Sequence, residues 1–234
     1  MSAYNRRLKG AVMTEQMRQA MKERHTVRQF DGTPLTDAEK SILRSRVDEL
    51  NKQYDLSIAL IESEKSPLSF LGKTLMGGAG VYSYFVLAAD DRDGVDEMLG
   101  YAGSDLCLYA QMNGLNTWWM AGTFNRRFVE GFVSGKKIVS IIAAGHGKTQ
   151  GVPHKSKRPD QVSRYEGEAP EWFNNGVQAA LLAPTALNMQ AFTITGKGNT
   201  VSLTYKSGPM SGIDKGIVKH HFELGAGKEN FEWA

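Results

Sequence analysis

Apolar residues recur at helical spacing in five parts of the chain. In LTDAEKSILRSRVDEL, residues 35–50, they lie three and four positions apart, and Thr36 with Glu39 forms a capping box at the start. The same spacing predicts four further helices, near residues 13–23, 95–113, 171–183 and 213–223. Pro184 must end or redirect the helix before it, because proline lacks the backbone N–H that a helix needs.

Other stretches alternate between apolar and polar residues or are continuously apolar, which is typical of β-strands. They are DLSIALIES, VYSYFVLAAD, NTWWMAG and KKIVSIIAAG. AFTITGKGNTVSLTYK predicts a hairpin with Gly198 and Asn199 at its turn. Because strands and helices mix without strict βαβ alternation, we expect an α+β fold. The 234 residues suit one large domain or at most two small ones, and residues 145–169 form the longest irregular stretch.

Composition narrows the class of protein and is consistent with the predicted α+β fold. The chain is 41% hydrophobic and 23% charged, as globular proteins are, and its net charge of +3 is too small to indicate nucleic-acid binding. A single cysteine, Cys107, excludes an intrachain disulfide and suits a reducing compartment. No segment approaches the roughly 18 apolar residues of a membrane span, and the N-terminal residues do not resemble a secretory signal. We therefore expect a cytoplasmic protein without a membrane partner.

Several motif-like segments lack a residue that their chemistry needs. AAGHGKT would be a phosphate-binding P-loop only with glycine in place of Ile142. Gly145 and Gly147 begin a G-x-G-x-x-G pattern, but Gln150 replaces its last glycine. The five histidines lack the spacing of metal ligands, and His220 and His221 are expected at a helix surface or the edge of the core instead. No serine has the context of a nucleophile elbow. We therefore predict no metal site, and neither a hydrolase nor a metalloenzyme finds support.

Two short stretches carry polar side chains that need partners. RHTVRQF, residues 24–30, follows the first predicted helix with two arginines, a histidine and a threonine. These residues are either a cationic cap at the negative end of a helix or a cradle that holds a phosphate by paired guanidinium groups. LLAPTALNMQAF, residues 181–192, places Thr185, Asn188 and Gln190 among apolar residues. Their hydrogen-bonding groups satisfy either the local backbone or a ligand.

Together the two stretches resemble the nitroreductase family of FMN-dependent oxidoreductases. The family begins with R-x-[ST]-x-[RK]-x-F, whose side chains hold the flavin phosphate and ribityl chain. Its matches here are Arg24, Thr26, Arg28 and Phe30, with His25 at the variable second position. A second pattern, A-P-[ST]-x-x-N-x-Q-P, directs a hydroxyl and an asparagine at the flavin. Its matches are Ala183, Pro184, Thr185, Asn188 and Gln190, with Ala186 between them.

Two further segments are similar to family patterns. GLNTWWMAGTF looks like the segment behind the flavin ring, which implies that Met120, Ala121 and Gly122 lie near the flavin. PHKSKRP resembles a basic segment that closes over the phosphate, which implies that role for Lys155 and Lys157. The A-P-[ST] motif usually follows soon after the arginine motif, whereas here it lies in the C-terminal third, and position 191 is alanine where the family usually has proline. The chain therefore resembles a divergent branch.

The resemblance implies one FMN-binding domain over residues 1–234, with a central, mostly antiparallel sheet flanked by helices. It implies that NADH or NADPH delivers hydride to flavin N5 and that a small-molecule acceptor, such as a nitroaromatic compound or a quinone, is then reduced in a ping-pong scheme without a catalytic side chain. It also implies a homodimer with FMN at the interface. Trp118, Trp119, Met120 and Met189 either line the acceptor pocket or belong to the core.

Three alternatives stay open on the sequence alone. One is a specialised flavin-dependent dehydrogenase or dehalogenase with a narrow pocket. Another is a protein that binds or stores flavin without turnover. The third is nucleic-acid binding through the basic residues between positions 136 and 164, which otherwise form a solvated face. The resemblance favours the reductase, so we expect no nucleic-acid partner.

Overall fold

The computed structural model describes residues 3–234, with side chains described from Gly10 onward. The helices are α1 (Ala3–Glu23), α2 (Asp37–Tyr54), α3 (Phe70–Thr74), α4 (Val95–Met112), α5 (Arg126–Glu130), α6 (Pro159–Val162), α7 (Glu171–Ala180) and α8 (Ser211–Ala226). The strands are β1 (Ala59–Glu62), β2 (Ser83–Ala89), β3 (Asn116–Met120), β4 (Lys137–Gly145), β5 (Ser163–Tyr165), β6 (Phe192–Lys197), β7 (Thr200–Tyr205) and β8 (Glu232–Trp233). Each helix and strand predicted from periodicity is present.

The strands form two sheets of four. The first has the spatial order β1-β2-β4-β3, and all of its neighbours are antiparallel. The second has the order β5-β6-β7-β8, in which β6 and β7 are the predicted antiparallel hairpin and the two edge strands pair in parallel. Gly198 takes the left-handed conformation at the hairpin turn, with φ of 57°. The fold is therefore α+β, with a mostly antiparallel sheet flanked by helices, as predicted.

Local sequence explains where the best-defined helix begins and ends. The Thr36 side chain accepts from the Glu39 backbone N–H, and the Glu39 side chain accepts from the Thr36 N–H, so the predicted capping box is confirmed. Leu43, Val47 and Leu50 form the buried face of α2. Asp55 then ends the helix in the left-handed conformation.

Helix α4 lies in the centre of the core and contacts both the first sheet and α8. The largest cluster of buried apolar residues joins α4 to positions on both sheets, such as Phe85, Ile142 and Ile194. Helices α4 and α8 approach so closely that a Cβ on Gly216 would overlap the Glu97 carbonyl. This close packing fixes the position of α8, whose first turns line the site described below.

Two expectations from the sequence need correction. Residues 145–169 are not irregular throughout, because Pro159 begins the short helix α6 and β5 then pairs with β6. These elements are too short to show a periodicity of their own. His220 and His221, expected at a helix surface or the edge of the core, are only 3% and 1% exposed. The Ser104 hydroxyl lies within hydrogen-bonding distance of both rings, which allows these polar side chains to be buried.

Pro184 does not itself end the helix before it. Helix α7 stops at Ala180, and two tight turns follow before the proline, in which Leu182 N–H donates to the Ala179 carbonyl and Ala183 N–H donates to the Ala180 carbonyl.

Among the described residues, no helix combines the length and the apolar character needed to cross a membrane.

Candidate functional site

Six separate segments of the chain converge on one cavity of about 660 Å³. They are the segment after α1, the turn after α3, the end of β3 with the residues that follow it, residues 152–154, the turn after α7 and the start of α8. The volume lies within the range typical of sites for cofactors and small molecules.

Two larger cavities are lined by none of the predicted site residues. One, of about 760 Å³, lies between α1, α7 and the end of α8. In the other, of about 800 Å³ at the start of α4, Lys137 pairs with Asp91 and Asp96 while Lys215 pairs with Glu97. Paired surface charges do not call for a ligand. We therefore place the functional site in the smaller cavity.

The smaller cavity brings together most of the residues that the sequence singled out. Eleven of the fourteen predicted residues line it: Arg24, His25, Thr26, Arg28, Met120, Ala121, Gly122, Pro184, Thr185, Ala186 and Asn188. The other three, Lys155, Lys157 and Gln190, lie outside the lining. The two strongest motifs, although far apart in sequence, thus meet within one chain.

Backbone contacts fasten the arginine motif to its neighbours. Val27 N–H donates to the Thr117 carbonyl of β3 at 3.1 Å. Gly151 lies so close to the motif that a Cβ there would come within 2.8 Å of the His25 Cβ, and its φ of 74° also favours glycine. The motif is therefore held along one wall of the cavity.

Arg24 is buried at this wall without a protein partner. Only 5% of its surface is exposed, and its Nε has no hydrogen-bond partner among the described residues. Burial lowers the pKa of the Arg24 guanidinium, and no carboxylate in the described part of the chain opposes that shift. A buried guanidinium is costly unless something accepts its hydrogen bonds. The geometry therefore points to an anionic ligand in this part of the cavity.

The turn after α7 presents Thr185, Ala186 and Asn188 to the cavity in a strained conformation. Leu187, Asn188 and Gln190 have φ of 50°, 54° and 45°, in the left-handed region that costs a non-glycine residue about 1–2 kcal/mol. The Leu187 side chain is 89% exposed, so burial does not offset its cost. Strain of this kind is concentrated at functional sites.

The three predicted residues outside the lining join the segment at residues 155–157 to the turn at residues 188–190. The Gln190 side chain is 1% exposed, accepts from Lys157 N–H at 2.7 Å and donates to the Leu181 carbonyl at 2.9 Å. Lys157 Nζ donates to the Gln190 carbonyl at 2.8 Å, and the Lys155 carbonyl accepts from Asn188 Nδ2 at 2.7 Å. These bonds direct the polar groups at protein atoms rather than into the cavity. A direct contact of Lys155, Lys157 or Gln190 with a ligand stays a prediction.

The lining also contains residues that sequence reasoning missed. Ile213 and Ile217 come from α8, where helical spacing predicts only a buried face, and Met210 directly precedes that helix. His154 also lines the cavity, and its Nε2 lies 3.0 Å from the Leu181 carbonyl. His154 occupies the variable position of the PHKSKRP segment, and no other feature of the sequence points to a place for it in the cavity. Met76 follows α3 and carried no signal.

Asp214 is the one acidic residue in the lining. It is 4% exposed, and both its oxygens accept from Ala186 N–H, at 3.0 and 3.1 Å. The Tyr205 hydroxyl donates to Oδ2 at 2.7 Å. Burial raises the pKa of the Asp214 carboxyl, and the hydrogen bonds from Tyr205 and Ala186 oppose that shift.

Trp118, Trp119 and Met120 of β3 form part of the apolar wall. The Trp119 indole donates to Ser140 Oγ at 3.0 Å, so its N–H is satisfied within the protein. Met189 lies outside the lining and is 55% exposed, so it neither lines the cavity nor belongs to the core. The site thus combines cationic and hydrogen-bonding groups with an apolar wall, which suits a ligand that has an apolar part and an anionic group.

Residues 16–226 match a family model described as "Putative TM nitroreductase". A comparison with curated protein sequences gave no match.

Solved structures share the fold. The chain is similar to "a putative nitroreductase" from Thermotoga maritima, with a TM-score of 0.65 and 20% identity over 91% of this chain and 84% of that one. It is similar to "a putative nitroreductase in complex with fmn" from Desulfovibrio desulfuricans, with a TM-score of 0.51 and 16% identity over 66% and 98%. "A nitroreductase-like protein" from Streptococcus mutans gives a TM-score of 0.51 and 11% identity over 61% and 94%. At these identities the likeness is one of fold.

Proposed function

Because the matching family model spans residues 16–226, this chain belongs to the nitroreductase family that the model describes, and we propose that it is an FMN-dependent oxidoreductase. NADH or NADPH is the electron donor, and a small molecule such as a nitroaromatic compound or a quinone is the acceptor, in a ping-pong order. The whole chain acts as one FMN-binding domain. When bound, FMN supplies two-electron redox chemistry between the nicotinamide donor and the acceptor.

One observation carries this proposal: Arg24 is buried in the cavity wall, and its Nε has no hydrogen-bond acceptor among the described residues. A flavin phosphate offers several strong acceptors and a compensating negative charge. His25, Thr26 and Arg28 follow Arg24 along the same wall and add donors. The donor set therefore fits a phosphate monoester.

The other parts of the lining fit the rest of the flavin. Thr185 offers a hydroxyl for the polar groups of the ribityl chain or ring edge. Asn188 offers its amide oxygen, since its Nδ2 donates to the Lys155 carbonyl. Backbone N–H groups near Ala121 and Gly122 are available to hydrogen-bond the ring. Trp118 and Met120 give an apolar surface that excludes water. The residues bind, orient and shield the cofactor, and we assign no acid, base or nucleophile.

We retain the homodimer as part of the proposal, with a second copy near the mouth of the cavity. The arginine motif and the residues 184–188 turn already line one cavity in a single chain. A partner is therefore not needed to bring these two motifs together. Its role would be to cover the cavity and to restrict access of the acceptor.

The first experiment is an absorbance spectrum of the purified protein, recorded before and after addition of NADH or NADPH without oxygen. We expect flavin bands that bleach with at least one donor and return when a quinone or nitroaromatic acceptor is added. The relative bleaching rates identify the preferred nicotinamide. The control is free FMN at the same concentration with the same donor.

Other outcomes separate the alternatives. Flavin bands that persist with both donors would favour a protein that binds or stores flavin without turnover. Bands that bleach but do not return with these acceptors would favour a specialised dehydrogenase or dehalogenase. A colourless protein that takes up no added FMN contradicts the proposal.

A further inference from the structure

The cavity-lining turn depends on a residue that belongs to neither motif. Asp214 lies in the first turn of α8 and directs both carboxyl oxygens at the Ala186 N–H, at 3.0 and 3.1 Å. Ala186 stands between the two motif residues Thr185 and Asn188. The hydrogen bond thus ties the middle of the turn to a rigid helix that packs against α4.

The turn needs such a tie because its own backbone is strained. Leu187 and Asn188, the two residues that follow Ala186, are both in the left-handed conformation. The exposed Leu187 side chain provides no packing to hold it there. Without an external acceptor for Ala186 N–H, the residues would relax towards ordinary backbone angles and move the Thr185 and Asn188 side chains.

We propose that Asp214 is a positioning residue that holds residues 185–188 in the conformation that receives the flavin. It acts through Ala186, since both of its oxygens accept from Ala186 N–H, and Oδ2 also accepts from the Tyr205 hydroxyl. Tyr205 in turn fixes the carboxylate from the end of β7. The role in flavin binding rests on the proposed function, whereas the role in holding the turn does not.

Glu223 on the same helix is a matched control. It is also a buried carboxylate, 8% exposed, and it also accepts from a tyrosine, Tyr101, at 2.7 Å. Trp233 donates to its other oxygen at 2.9 Å. Glu223 is not part of the cavity lining, so its loss disturbs α8 without releasing the turn.

The experiment compares the wild type with D214L, D214N and E223Q by two independent measurements. Amide hydrogen exchange of the peptide that contains residues 184–190, without flavin, reports on the turn. Titration with FMN, followed by quenching of its fluorescence, gives the dissociation constant. Leucine resembles aspartate in shape but accepts no hydrogen bond, whereas asparagine retains an acceptor oxygen. If D214L does not fold, D214S replaces it, because the shorter side chain does not reach Ala186.

We expect D214L to speed exchange in the turn and to raise the FMN dissociation constant by about tenfold or more, the scale of a lost hydrogen bond to a charged group. D214N should restore both to within about threefold of the wild type, and E223Q should change neither. Unchanged exchange in D214L overturns the proposal whether or not FMN binds. Faster exchange with unchanged FMN affinity overturns the link to the flavin. A wild type that binds no FMN contradicts the proposed function, and exchange alone then decides the role of Asp214.

Discussion

Arg24 and Arg46 are both withdrawn from solvent, but they meet very different surroundings. Arg46 on α2 donates from Nε and from one terminal nitrogen to the two oxygens of Asp105, at 2.7 and 2.6 Å. Burial opposes the charge of Arg46, but its hydrogen bonds to Asp105 outweigh burial and raise its pKa. Arg24 has no such partner among the described residues, and burial lowers its pKa.

The contrast extends to the regions around the two arginines. Beyond Asp105, the side chains of His220, Ser104 and His221 continue a buried polar network between α4 and α8. There the protein supplies the partner of the charged Arg46 and Asp105 side chains, and among the atoms of this network His221 Nε2 has no hydrogen-bond partner in the described part of the chain. Around Arg24, side-chain donors line an open cavity and the adjoining turn is strained. We infer that the first region stabilises the fold, whereas the second gives up stability to receive a ligand.

The largest expected effect is the loss of stability in R46M. This change leaves Asp105 buried at 4% exposure without its bidentate partner, so we expect the free energy of unfolding to fall by about 3–5 kcal/mol. Urea denaturation of the flavin-free protein measures it. E49Q is the control, because Glu49 pairs with the same arginine at the surface and should contribute less than about 1 kcal/mol. A loss in R46M no greater than that in E49Q would contradict the structural role of the pair.

R24M should have the opposite effect on the flavin-free protein. Methionine fills much of the same space without a buried charge, so we expect the free energy of unfolding to stay the same or to rise by about 1 kcal/mol. The FMN dissociation constant should rise on the order of 100-fold, since a phosphate loses a charged donor. Titration with FMN and urea denaturation of the same preparations test both parts. R28M, which removes an exposed arginine from the same wall, should weaken binding less.

A destabilised R24M with unchanged FMN affinity would contradict this distinction. It would mean that Arg24 is a structural residue like Arg46 and that the cavity does not use it.

The region around Arg24 could be predicted from the sequence, but the region around Arg46 could not, for a physical reason. RHTVRQF and LLAPTALNMQAF stand out because a ligand that binds in a fixed geometry demands particular polar side chains at fixed spacing. Arg46 and Asp105 are 59 residues apart, and each looks like an ordinary charge on a helix. Only the packing of α2 against α4 brings them together. Long-range ion pairs of this kind leave no local pattern.

The dependence of contacts on packing between distant segments also explains what the sequence could and could not predict about Gln190 and Asp214. The sequence shows that Gln190 is a polar residue among apolar ones and therefore needs partners, but it does not tell a ligand from another segment of the chain. In the structure its partners are Lys157 and Leu181. Asp214 looks like an acidic residue at a helix N-terminus, which the helix dipole alone explains. Its contact with Ala186 depends on where α8 lies.

The buried histidines of the polar network, His220 and His221, lead us to expect that the free energy of unfolding falls at mildly acid pH. Burial lowers the pKa of His220 and lowers that of His221 well below its ordinary value, so the unfolded chain binds more protons. The contribution of each histidine is fully present above the unfolded pKa of about 6.5 and is lost as the pH falls towards the folded pKa. We expect a loss of roughly 1 kcal/mol from His221 between pH 6.5 and 5.5, and a further loss from His220.

Urea denaturation of wild type and H221N at several pH values measures this slope. Asp105 and Glu223 favour the charged rings, whereas Arg46, Lys228, Arg24 and His154 oppose them. His220 also opposes the charged form of His221. H221N should reduce the slope by about half or more. An equal slope in H221N and wild type would contradict the assignment.

The smallest effect tests the strain at the cavity. Glycine adopts the left-handed conformation without steric cost, so L187G should stabilise the flavin-free protein, but glycine also gains entropy in the unfolded chain. We expect a net gain of about 0.5–1 kcal/mol, measured by thermal or urea denaturation. A186G is the control in the same turn, because Ala186 is not among the residues with positive φ and glycine there brings only the entropic cost. If L187G destabilised the protein as much as A186G, the turn would store no strain, and the contrast between a satisfied core and a strained cavity would rest on Arg24 alone.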